Sequence, residues 1–178
     1  MSIYIALFRG INVGGRNSLP MKELTSILEE LGATGVKTYI QSGNVVFASR
    51  EKNTKRLAGK IGAEIKNRRG FEPAVLLLTS DDLKSAIEAN PFPETEGDPK
   101  SLHLGFLDTA PNKPDLKKLD ELKANGERFQ LIGKVFYLHA PNGVGRSKLA
   151  ANVERLLGVT MTDRNWRTVC KLSELESL

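Results

Sequence analysis

The residues best suited to chemistry in this chain form one run, Arg9-Gly10-Ile11-Asn12-Val13-Gly14-Gly15-Arg16-Asn17. Gly14 and Gly15 let backbone N–H groups approach a ligand, and Arg9 and Arg16 supply forked guanidinium donors. A second polar run is Gln41-Ser42-Gly43-Asn44, and a third is Arg164-Asn165-Trp166. Donors dominate these runs and titratable bases are scarce. Such a set suits holding a phosphate, a carboxylate or a nucleotide better than moving a proton. The competing reading is purely structural: asparagine and arginine donate to loop carbonyls and shape tight turns. The glycine spacing is neither G-x-G-x-x-G nor G-x-x-x-x-G-K-[ST], so neither standard phosphate fingerprint applies.

Other chemistry is thinly represented. The chain has two histidines, His103 and His139, and one cysteine, Cys170. That leaves no thiolate spacing for a zinc site, and no metal or cofactor is implied. Asp81 and Asp82 open a helix-like segment, and the acidic residues from Glu94 to Asp98 lie in a proline-rich stretch. A lone cysteine excludes an intrachain disulfide and fits a reducing compartment. No apolar run approaches the roughly 20 residues that cross a bilayer, and no basic leader precedes the first strand. A cytoplasmic protein with no membrane partner is expected.

The elements must then bring these residues together. Residues 3–8 read as a strand apolar on both faces, hence central in its sheet. Residues 19–31 read as a helix, with Ser18 as its N-cap and Pro20 in its first turn. Residues 36–40 and 45–48 are β-rich and flank the 41–44 run, which reads as a tight hairpin with Gly43 at positive φ. A helix over 52–69, stopped by Gly70, and an apolar strand over 74–78 complete a β-α-β-β-α-β order, the ferredoxin-like unit.

A helix over 80–89 and a connection rich in proline and glycine follow. The same order then recurs. A strand at 102–107 and a helix at 114–124 come first. Strands at 127–132 and 134–139 turn at Gly133, a helix spans 147–157, and a short strand lies at 160–161. Asn142 or Ser147 can cap the 147–157 helix. A last helix begins near Asp163, with Thr162 as N-cap and Trp166 as a packing anchor. The expected fold class is therefore α+β, two ferredoxin-like halves in tandem with a C-terminal helix. The corresponding segments are 1–79, a linker at 80–100, 101–162 and 163–178.

Strand direction adds what spacing cannot. In this topology strands one and two of the first half run the same way. The loops that leave them must emerge at one sheet edge. That places Arg9, Asn12, Gly14, Gly15, Arg16, Gln41, Ser42 and Asn44 on a common rim beside a helix N-terminus, where N–H groups favour an anion.

Composition bounds the partners. At 178 residues, 40% apolar and 26% charged, the chain has the make-up of a globular protein. Between 51 and 69, Lys52, Lys55, Arg56, Lys60, Lys66, Arg68 and Arg69 outnumber Glu51 and Glu64 by as much as the whole net charge of +5. This is either a solvated helix face or an attraction for nucleic acid. Aromatics are only 6%, and no strand carries the stacked aromatics of an RNA-binding sheet.

The runs Tyr4 to Gly15, Thr38 to Phe47 and Arg164-Asn165-Trp166 resemble the bacterial family called domain of unknown function 1697. The resemblance covers nearly the whole chain. It implies a duplicated α+β fold and no established activity, so no catalytic residue is carried over. Three functions compete: binding of a small anionic ligand at the two-loop rim, with Arg164, Asn165 and Trp166 as further contacts; nucleic-acid binding through the basic helix; and a structural or partner-binding module.

Overall fold

Eight strands form two antiparallel sheets, and the computed structural model describes residues 1–177. The first half runs β1 (Ser2–Arg9), α1 (Met21–Glu30), β2 (Thr34–Tyr39), β3 (Asn44–Ser49), α2 (Thr54–Arg69) and β4 (Ala74–Thr79). Its sheet order is β2-β3-β1-β4. The second half runs β5 (Leu102–Leu107), α4 (Leu116–Leu122), β6 (Arg128–Ile132), β7 (Val135–His139), α5 (Lys148–Leu157) and β8 (Met161–Asn165), in the order β6-β7-β5-β8. The two orders are the same, so the duplication expected from element order is present. Between the halves lie α3 (Ser80–Glu88) and a short turn of tighter helix at Pro93–Thr95, and α6 (Trp166–Glu176) closes the chain.

By contact the chain divides into two units: Met1–Ser85 with the last residues from Lys171, and Ala86–Cys170. In the first, β1 is central, paired with β3 and β4. Both its faces are buried, as its two-sided apolar pattern requires. Tyr4, Ala6 and Phe8 face Leu24, Ile27 and Leu28 of α1 and Leu57, Ile61 and Ile65 of α2. Each of the leucine, isoleucine and phenylalanine side chains contributes about 1.5–3 kcal/mol on leaving water. In the second unit Leu107, Phe136 and Leu138 pack with Leu119, Leu149, Val153 and Leu157.

Two helix starts differ from the sequence reading. The first helix begins at Met21 with Pro20 at the N-cap and no side-chain cap, so Ser18 does not cap it. Pro20 still receives the N–H groups of Glu23 and Leu24 at its carbonyl. The C-terminal helix begins at Trp166, because residues 161–165 extend β8 along β5. Pairing with a neighbouring strand outweighs the local capping signal of Thr162 and Asp163. The cap is Asn165 instead, whose Oδ1 accepts from Thr168 N at 3.0 Å. By contrast Ser147 caps α5 as read, accepting from Ala150 N at 3.0 Å.

Candidate functional site

The loop after β1 and the turn after β2 meet. β1 and β2 are both antiparallel to β3, so they run the same way and deliver their loops to one edge. Asn12 joins the two. Its Nδ2 donates to Leu19 O and to Gln41 O, each at 2.8 Å, and its Oδ1 accepts from Leu19 N at 2.7 Å. One amide thus spends both donors and an acceptor on three backbone groups, in a residue with φ of 53°. Asn17 closes the same loop from the other side, with Nδ2 donating to Gly10 O at 3.0 Å and its carbonyl accepting from Asn12 N at 3.0 Å. Arg16 N donates to Val13 O at 3.0 Å, which makes a tight turn of Val13, Gly14, Gly15 and Arg16.

The second turn is tucked beneath the first. Phe8 N donates to Gly43 O at 2.9 Å. A Cβ at Gly43 would lie 2.5 Å from Phe8 Cβ and 2.7 Å from Ile11 Cδ1, and its φ is +83°. Only glycine fits there. Asn44 is fully buried and ties the turn internally, donating to Tyr39 O at 3.2 Å and Ser42 Oγ at 3.0 Å. The asparagines of the rim therefore act chiefly on backbone. Arg9, Gly14, Gly15, Arg16, Gln41 and Ser42 are the residues of the set that face solvent.

Two residues that sequence reasoning missed share this rim. Val13 is 62% exposed and Ile40 is 52% exposed. Ile40 also has φ of +50°, a region that a β-branched side chain rarely enters. The sequence signal was available in part: two aliphatic residues interrupt otherwise polar turns. The backbone strain at Ile40 was not, because hairpin chemistry assigns positive φ to Gly43 first.

Arg164, Asn165 and Trp166 belong to the second unit. Burial pulls the half-buried Arg164 guanidinium down to about 10, against the opposing pull of Asp163, and its Nη1 donates to Asp163 O at 2.8 Å. Trp166 is buried at 6% exposure, and Asn165 caps α6.

The arginines of the basic helix are paired. On α2, Arg69 meets Glu23 of α1, Arg68 meets Glu30 of α1 and Glu64, and Arg56 meets Glu51 at 2.6 Å. The Arg69 hydrogen bond holds the Glu23 carboxyl below its usual range. Arg68 and Arg69, two of the seven basic residues of this segment, thus form a seam between α1 and α2. Among the described residues no helix is long and apolar enough to cross a membrane, and no group of three or more His, Cys, Asp or Glu could hold a metal ion.

The family of proteins of unknown function DUF1697 matches residues 1–137, which include both loops of the rim. The chain belongs to the DUF1697 family. Among solved structures, this DUF1697 chain is similar to the conserved bacterial protein SP0830 from Streptococcus pneumoniae, at 23% identity and a TM-score of 0.69 over 98% of each chain. At that identity the likeness shows the fold. No curated protein matches the chain.

Proposed function

We propose that this protein binds a small anionic molecule, bearing a phosphate or a carboxylate, at the rim shared by the 9–17 loop and the 40–43 turn. Arg9 and Arg16 supply the cationic donors, and the Gly14-Gly15 backbone allows close approach. The first turn of α1, without a side-chain cap, adds N–H groups of the right polarity. No reaction is assigned, and the reading rests on first-unit residues alone.

The observation that carries it is Ile40. A left-handed β-branched residue costs about 1–3 kcal/mol, and one that is 52% exposed recovers little of that by burial. The bond from Asn12 to Gln41 O holds the neighbouring residue in place. Strain kept at an exposed rim beside two arginines is what a ligand clamp requires. The same apolar residue would lie against the non-ionic part of the molecule.

A thermal-shift titration with inorganic phosphate, pyrophosphate, AMP and citrate tests this. At least one should stabilise the chain, rising with the logarithm of its concentration above Kd and reaching about 2.7 kcal/mol at a hundredfold excess. Arg16→Ala should abolish that gain while keeping the melting temperature of the unliganded protein. If no anion shifts the transition, or Arg16→Ala responds as the parent does, the rim is a structural joint and nothing more.

A further inference from the structure

The two halves share a topology but cover their edge strands differently. α2 has 16 residues and packs along β4. α5 has 10 residues, packs along α4 and stands off β8. The gap is a cavity of about 270 Å³ within the second unit. Phe136, Leu138, Val153 and Met161 give it apolar walls, and Ala150 and Ala151 leave it room. Beneath it, a Cβ on Gly105 would lie 2.3 Å from Met161 Sδ, so the glycine lets Met161 lie flat along the floor.

Two polar groups stand in this apolar lining. Asp163 is one, and its Oδ2 is held by His103 Nδ1 at 2.7 Å. His103 is itself fixed through Nε2 to Lys100 O at 3.1 Å, so the carboxylate is oriented and Oδ1 remains to accept a donor. Ser147 is the other; its Oγ accepts from Ala150 N, which leaves the hydroxyl hydrogen to donate. A mostly apolar cavity with a few placed polar groups is the usual form of a small-molecule site.

We propose that this cavity binds a small molecule with a compact apolar body and an amine or hydroxyl head that donates to Asp163. The carboxylate selects against anionic heads, so the preference is opposite to that of the first-unit rim. The site is independent of that rim and of the reading given to it.

Titration of the full chain with 2-phenylethylamine, 2-phenylethanol and 3-phenylpropanoate, followed by amide chemical shifts, tests the assignment. Either of the first two should saturate, with shifts centred on β7, α5 and β8, and the carboxylate should not. Ala151→Trp should block the mouth, and Gly105→Ala should push Met161 into the cavity. Each should weaken binding by about tenfold or more. Gly105→Ala keeps the test decisive if the tryptophan variant fails to fold, since a flexible methionine accommodates the new methyl. Asp163→Asn should weaken the amine more than the alcohol. Absence of saturation by both donors, equal binding of the carboxylate, or full affinity in the variant that folds overturns the proposal.

Discussion

Asn12 shows how a single side chain can decide the character of a loop. It carries two donors and one acceptor to Leu19 and Gln41, so the 9–17 loop and the 40–43 turn are one object. Gly43 is the other half of that joint. Gly43→Ala adds a methyl against Phe8 and Ile11 at a φ that alanine resists, and overpacking and strain of this kind cost about 1–3 kcal/mol each. Urea denaturation should show a loss of about 3 kcal/mol for this variant, more than for alanine at any exposed loop glycine. Ile40 predicts the reverse. Ile40→Gly removes the strain at φ +50° and gives up little burial. A net gain of about 1 kcal/mol is expected after the entropy of glycine is counted. Under the proposed function the same variant should bind anions less well. A melting temperature below the parent's would show that Ile40 is held by contacts worth more than its strain.

Among the elements, β8 carries the clearest pH dependence. His103 on β5 has an acceptor at each ring nitrogen, the Asp163 carboxylate and the Lys100 carbonyl. Two acceptors are satisfied together only by the doubly protonated ring. Burial is the largest single influence and opposes that charge, but the hydrogen bond to Asp163, the charge of its carboxylate and the Lys100 carbonyl together outweigh it, and the pKa of His103 is raised. The folded chain therefore holds this proton more tightly than the unfolded one. Its stabilising effect is complete below the unfolded value of about 6.5 and is lost as the pH rises through the folded value. His139 opposes it, since burial and then Arg128 lower its pKa. The informative quantity is the difference in melting temperature between the parent and His103→Gln. It should be largest near pH 5.5 and shrink towards pH 8.5; a difference that is flat or grows with pH contradicts the assignment.

At the scale of the molecule, formal charge and available charge diverge. The net charge of +5 is matched by the 51–69 segment alone. Yet Arg56, Arg68 and Arg69 face Glu51, Glu30, Glu64 and Glu23. That leaves mainly Lys52, Lys55 and Lys60 of the segment to displace counterions from a phosphate backbone. Fluorescence anisotropy with a labelled 20-nucleotide single strand at 150 mM salt should therefore show weak binding, with Kd no tighter than about 10⁻⁴ M. Tight binding with a steep salt dependence would restore the nucleic-acid reading.

Element order and the shared rim were legible in the sequence because both follow from local patterns. Two-sided apolarity makes Ile3 to Phe8 a central strand. The β-α-β-β-α-β succession fixes strand directions, and directions fix which loops share an edge. The ends of α1 and α6 were less legible, since the strand pairing of residues 161–165 is a nonlocal interaction that overrides a good capping sequence. What each polar side chain does was decided only by the tertiary structure. Nothing in the spacing says that Asn12 would be consumed by Leu19 and Gln41, or that Arg68 and Arg69 of α2 would face Glu30 and Glu23 of α1. Nor does it say that a shorter α5 would leave a cavity over Met161 and Asp163. Hydrogen bonds and packing are pairwise and short-ranged, so partners distant in sequence become known only when the fold sets them within a few ångströms.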